Sequence, residues 1–134
     1  MEIKKGSFLD IALADLDTAE ALVGRQNNQA VCASQQAVEK ALKAVIEMGG
    51  DRAPSIHNVG KLCQLTNNDR LKDRLLEINS FGSLYIDLRY PGSQYYEIDT
   101  VSAKKYVVLA IEIVDICVQI VTDSEFEQTN LFKD

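Results

Sequence analysis

The chain is poor in histidine, cysteine and proline, and short of positive charge; each scarcity removes a class of function. A single imidazole, His57, has no Cys, Asp or Glu beside it at ligand spacing. That rules against a zinc site, which needs several such donors converging. Cys32, Cys63 and Cys117 stand far apart with no paired spacing. Each lies among apolar residues, where a thiol behaves as a small hydrophobe, so they are expected reduced, in the core of a cytoplasmic protein. Lysine and arginine number 14 against 20 aspartates and glutamates, a formal net charge of −6. Such a surface repels phosphate backbones, so nucleic-acid binding by bulk charge is not expected, although a local basic groove is compatible with it. No uninterrupted apolar run follows the lysines of "MEIKKGSFLD", which argues against a signal peptide. A sustained period-2 alternation is missing, as is an Asn-Gly hairpin turn, so strands are not expected. The chain also lacks a Gly-rich phosphate loop, an assignable Ser/His/Asp set and carboxylates paired across a cleft. No cofactor and no metal are expected.

What is present is one helical pattern after another. With 46% hydrophobic residues, the length of 134 suits a single domain with one core, here 7–121, followed by an acidic tail, 122–134, expected to be mobile. The first helix is expected from Ser7 to Arg25, with Ser7 as N-cap and a stripe through Phe8, Ile11, Leu16, Ala19 and Leu22. "QNNQ" reads as a turn. A second helix, about Asn28 to Met48, carries alanines at 30, 33, 37, 41 and 44, a ridge that lets another backbone approach closely. Gly49-Gly50 ends it. A short helix is expected from Asn58 to Thr66 and a long one from Asn68 to Leu88, kinked near Gly82. The loop "RYPGSQYYEID" leads into a last helix from Asp99 or Thr100 to about Val121. That helix is apolar almost all round, so it is either the centre of the bundle or joins a second subunit. Phe126, Leu131 and Phe132 of the tail could dock. The fold class expected is all-α: an antiparallel up-and-down helical bundle of four long helices plus one short helix.

Few polar residues stand out. Arg52 and His57 are separated by four residues, a spacing a metal-independent nuclease could use, with Arg52 on a phosphate oxygen and His57 as general base. The bland reading places His57 at the start of the short helix, bonded to the preceding corner. Glu39 and Lys43 form an i,i+4 pair expected on a wet face. Lys40 lies beside the alanine ridge and points along a groove. Arg89, before Tyr90-Pro91, either terminates a helix or meets an anion, with Tyr90, Tyr95 or Tyr96 against a base.

Four stretches in order, "SFLDIALADLDTAEALV", "VCASQQAVEKALKAVI", "APSIHNVGKL" and "LRYPG", resemble the HEPN domain family. The most specific part runs Gln36 to Lys43, followed by His57 and then Arg89-Tyr90-Pro91. The resemblance implies a bundle of four or five helices, often a homodimer, similar to the helical domain of kanamycin-modifying-type nucleotidyltransferases. It also implies pairing with a minimal nucleotidyltransferase, sometimes as toxin and antitoxin. One branch of the family comprises metal-independent endoribonucleases whose Arg-x4–6-His motif lies late in the domain. Here Arg89 is followed by no histidine, and Arg52 with His57 sits too early. His57 matches instead the histidine opening the third helix of non-nuclease members. The expectation is therefore a non-catalytic module that binds a nucleotide or docks a nucleotidyltransferase, using Gln36, Lys40, Lys43, His57, Arg89 and Tyr90. The alternative is a ribonuclease toxin using Arg52 and His57.

Overall fold

A computed structural model describes residues 2–82, 84–92 and 94–131, with the side chains of all of these except Tyr85, Ile86 and 125–131. Every regular element among the described residues is a helix, and none is a strand. They form α1 (Phe8–Leu22), α2 (Asn27–Met48), α3 (Val59–Leu65), α4 (Asp69–Lys72), α5 (Leu75–Asn79), α6 (Leu84–Arg89) and α7 (Thr100–Leu131).

Helix starts follow local chemistry. Ser7 Oγ accepts from the Asp10 N–H, Asn58 Oδ1 from Lys61 and Asn68 Oδ1 from Leu71. Each satisfies a donor that the helix itself leaves unpaired. Asp99 does the same for Ser102 at the head of α7. Helix α2 stops at Gly49, and the next residue, Gly50, has φ of 95°, a left-handed geometry that glycine takes without strain.

The centre of the fold is α2, which packs on α1, α7, α6 and α3. Ala30, Ala37 and Ala41 are wholly buried, with Val38, Leu42 and Val45 supplying bulk, as the alanine ridge requires. The last helix is therefore not the bundle's centre: α7 leans one face on α2 and α1 and leaves Val101, Val108 and Ile111 exposed.

The expected long helix from Asn68 to Leu88 is instead three short ones. Of the apolar stripe that spacing predicts along it, Leu71, Leu75, Ile78, Phe81 and Tyr85, three members, Leu71, Ile78 and Phe81, are fully buried and Leu75 is half-buried, while the Tyr85 side chain is outside those described. The first interruption, 73–74, falls between Leu71 and Leu75, and Phe81 stays buried although it lies in the second. After Asn79 the backbone tightens, with the N–H groups of Ser80, Phe81 and Gly82 bonding carbonyls three residues back. Gly82 then takes φ of 44°, which no continuing right-handed helix allows. Phe81 packs its ring 5.3 Å from that of Tyr106, whose hydroxyl donates to Ser80 O, so the break is fastened to α7.

At the other end, α7 runs to Leu131 rather than stopping near Val121, so the acidic tail continues the helix. Docking by Phe126, Leu131 and Phe132 falls on side chains outside those described. All three cysteines are buried and free, and Cys63 Sγ donates to Leu71 O.

Candidate functional site

One face of α2 collects most of the candidate residues. Positions 29, 33, 36, 40 and 43 recur every three or four residues and so share a side of the helix, away from the core positions 30, 37, 38 and 41. Along that side the structure builds two adjoining features.

The first is an ion cluster centred on Glu39. Its Oε2 accepts from Lys43 Nζ at 3.1 Å, from Lys40 Nζ at 3.2 Å and from His57 Nδ1 at 3.1 Å. The Glu39 and Lys43 side chains are only 6% and 8% exposed, so the pair is buried, not on a wet face as the helical wheel implies. The wheel misses this because it carries no information on contacts from outside the helix, such as the His57 bond from eighteen positions on. Burial alone would raise the Glu39 carboxyl, but hydrogen bonds from His57, Lys43 and Lys40 outweigh it and hold the group below its ordinary value. Asp15 of α1 completes the cluster. Its own burial raises its pKa, with Lys40 pulling the other way and Glu39 adding to the rise.

This arrangement changes what the lysines can do. Two carboxylates and two ammonium groups balance, so the cluster offers little net charge to a ligand while His57 is neutral. Lys43 is a structural cation. Lys40 and His57 sit at the rim, the His57 side chain 79% exposed.

The second feature is a groove among α1, α2, α6 and the loop after α6. A cavity of about 440 Å³ is lined by Thr18, Gln29, Cys32, Gln36, Arg89 and Tyr95, among others. A second, of about 350 Å³, shares Asn28, Gln29 and Tyr95 with it and extends to Arg25. Arg89 lies close enough to Cys32 for its charge to counter the rise that burial imposes on that thiol. Gln36 and Arg89 are thus brought together, and Lys40 stands one turn beyond Gln36. Tyr90 is exposed beside the groove, and Tyr95 lines it. Arg52 is exposed and makes no hydrogen bond or ion pair with His57 among the described residues.

Two asparagines hold the groove open, and reading "QNNQ" as a turn missed them. Asn28 Nδ2 donates to Leu88 O and Tyr96 O, while its Oδ1 accepts from Ile98 N. Asn27 Nδ2 donates to Ile98 O and Thr100 Oγ1, and its Oδ1 caps Gly24 N–H. The pair ties the long loop to the first turn of α2 and so sets the position of Tyr95. Adjacent amides at a helix start are the only signal the sequence offers for this, and turn chemistry explains them equally well.

Among the described residues no group of three or more His, Cys, Asp or Glu side chains could hold a metal ion, and no helix is long and apolar enough to cross a membrane. The fold and site define an all-helical domain with a polar groove along its central helix. The HEPN domain model matches residues 6–121, so the chain belongs to the HEPN domain family. Neither the curated proteins nor the solved structures gave a match.

Proposed function

We propose that this protein is a non-catalytic HEPN module that binds a nucleotide in the groove lined by Gln36, Arg89 and Tyr95. The supporting observation is the composition of that groove. Tyr95 offers an aromatic face for a base, Gln29 and Gln36 offer amides for its polar edge, and Arg89 and Arg25 offer guanidinium groups for phosphate. The volume of about 440 Å³ lies within the range of small-ligand sites. Lys40 and His57 lie beside the groove but are already engaged by Glu39, so the phosphates would rest on the guanidinium groups. Docking of a minimal nucleotidyltransferase, in a toxin–antitoxin-like pair, belongs to the same proposal: the bound nucleotide would be presented at the mouth of the groove to a partner enzyme.

A ribonuclease reading draws on one observation. A carboxylate on His57 Nδ1 leaves Nε2 outward, as a general base requires. Against it, Arg52 is not assembled with His57, and Lys40 and Lys43 are spent on Glu39. Calorimetric titration with ATP and GTP tests the main reading. Saturable binding that weakens about tenfold or more in Arg89→Ala, a loss expected for a charge-assisted contact, supports it. Binding unaffected by Arg89→Ala combined with Gln36→Ala refutes this site. Cleavage of single-stranded RNA that disappears in His57→Ala would instead establish the ribonuclease.

A further inference from the structure

Two charges of opposite sign line the smaller cavity of the groove and do not meet. Arg25 and Glu97 both border that space of about 350 Å³. Both are exposed, no ion pair joins them, and neither side chain has a hydrogen bond among the described residues. Their places are set by the asparagine pair. Arg25 follows Gly24, whose φ of 86° turns the chain between α1 and α2 and whose N–H is capped by Asn27. Glu97 precedes Ile98, whose carbonyl and N–H are held by Asn27 and Asn28. A guanidinium and a carboxylate that share a small space without bonding each other keep a fork of donors and a pair of acceptors for a third group.

The larger cavity is different. Among the described residues, Arg89 is the only charged group that lines it. Phosphate is drawn to that cavity and gains little from the smaller one, where Glu97 repels what Arg25 attracts. The smaller cavity suits a neutral, flat group with acceptors on one edge and donors on the next, able to lie on Tyr95. Guanine has this pattern: O6 and N7 accept from an arginine fork, while N1–H and the N2 amine donate in parallel to a carboxylate. Adenine in the same place would turn its N6 amine to Arg25 and its bare N1 to Glu97, stranding a charge on each edge. A pyrimidine has no N7 and covers less of Tyr95.

We propose that the ligand of the groove is a guanine nucleotide, its base between Arg25 and Glu97 and its phosphates on Arg89. The inference rests on the nucleotide reading and deepens it; of the two guanidinium groups open to phosphate, it assigns Arg25 to the base. Gln29 and Tyr95 line both cavities and mark where they adjoin. Gln36, about 10 Å from Gln29 along α2 at the helical rise, is left to the ribose and phosphates.

Calorimetric titration of the full chain with GTP, ATP and inosine triphosphate tests it. GTP should bind about 100-fold more tightly than ATP, the discrimination expected when two bidentate contacts are lost. Inosine triphosphate keeps O6, N7 and N1–H but lacks the N2 amine, and should fall about tenfold below GTP. Glu97→Gln leaves one acceptor in place of two and adds a donor that adenine N1 accepts, so the preference for GTP should shrink by about tenfold or more. Arg25→Ala should shrink it as well, and Arg89→Ala should weaken both nucleotides equally. Arg25 and Glu97 are exposed and support no other side chain, so these variants keep the fold. Failure of all three nucleotides to bind would remove the nucleotide reading and this inference with it. Equal binding of GTP and ATP, weakened alike by Arg89→Ala, would leave that reading standing and overturn the guanine assignment. So would inosine triphosphate binding as tightly as GTP, or a GTP preference that survives Glu97→Gln.

Discussion

Replacing Glu39 by glutamine removes one charge and almost no volume, so it isolates the role of the buried carboxylate. In the native protein the ammonium groups of Lys40 and Lys43 each lie within 3.2 Å of the same Glu39 oxygen. They are therefore at most about 6 Å apart, and with the carboxylate neutralised they repel each other by about 2–3 kcal/mol at an effective dielectric constant of about 20. Lys40 is partly exposed and can turn toward Asp15 or water, which relieves much of that repulsion. Lys43 cannot, because its side chain is 8% exposed. Breaking a buried pair by removing one partner costs about 3–5 kcal/mol, most of it the uncompensated buried charge. The lower end applies here, since two of the three partners, Lys40 and His57, sit at the rim. We expect Glu39→Gln to destabilise the protein by about 3 kcal/mol, a fall in the urea midpoint of about 1.5–2 M for a slope typical of small domains.

The pattern across variants discriminates more than the single value. Lys40→Ala and His57→Ala remove exposed partners and should cost under about 1 kcal/mol each. Glu39→Gln combined with Lys43→Met should recover most of the loss, because an apolar isostere removes the stranded charge. Equilibrium urea unfolding followed by circular dichroism measures all four. If Glu39→Gln costs less than about 1 kcal/mol, water reaches the cluster and the account of Lys43 as a structural cation is wrong.

Asn28→Ala deletes three hydrogen bonds that fasten the loop after α6. It should cost about 2–3 kcal/mol at about 1 kcal/mol per bond, and raise amide exchange at Ile98 specifically. The Glu39 carboxyl lies below its ordinary value in the fold, so its contribution is complete above about pH 4.5 and is lost as pH falls through the folded value. The Asp15 carboxyl is raised, so it opposes this, removing stability as pH climbs from 3.8 toward its folded value. Thermal melts between pH 3 and 6 should show a steeper acid limb in Asp15→Asn than in the parent, and a shallower one in Glu39→Gln.

Helix ends and buried faces could be read from the residues because each depends on neighbours within one or two turns. Ser7, Asn58 and Asn68 act as caps, and Leu71, Ile78 and Phe81 face inward regardless of whether the helix beneath them is continuous. Gly82 was legible as a weak point, but the tightening from Ser80 to Gly82 depends on Tyr106 in a different helix holding Ser80 O. The same dependence on distant partners hid the core of the site. Glu39 and Lys43 have the spacing of a surface pair, yet both are interior, and the His57 bond to Glu39 comes from eighteen positions on. Asn27 and Asn28 bond residues 60 to 73 positions away, beyond anything a local pattern encodes. Lys40 and Arg89 are expected as partners at one opening. The structure joins Arg89 to Gln36 in the cavity and binds Lys40 to Glu39 a turn beyond.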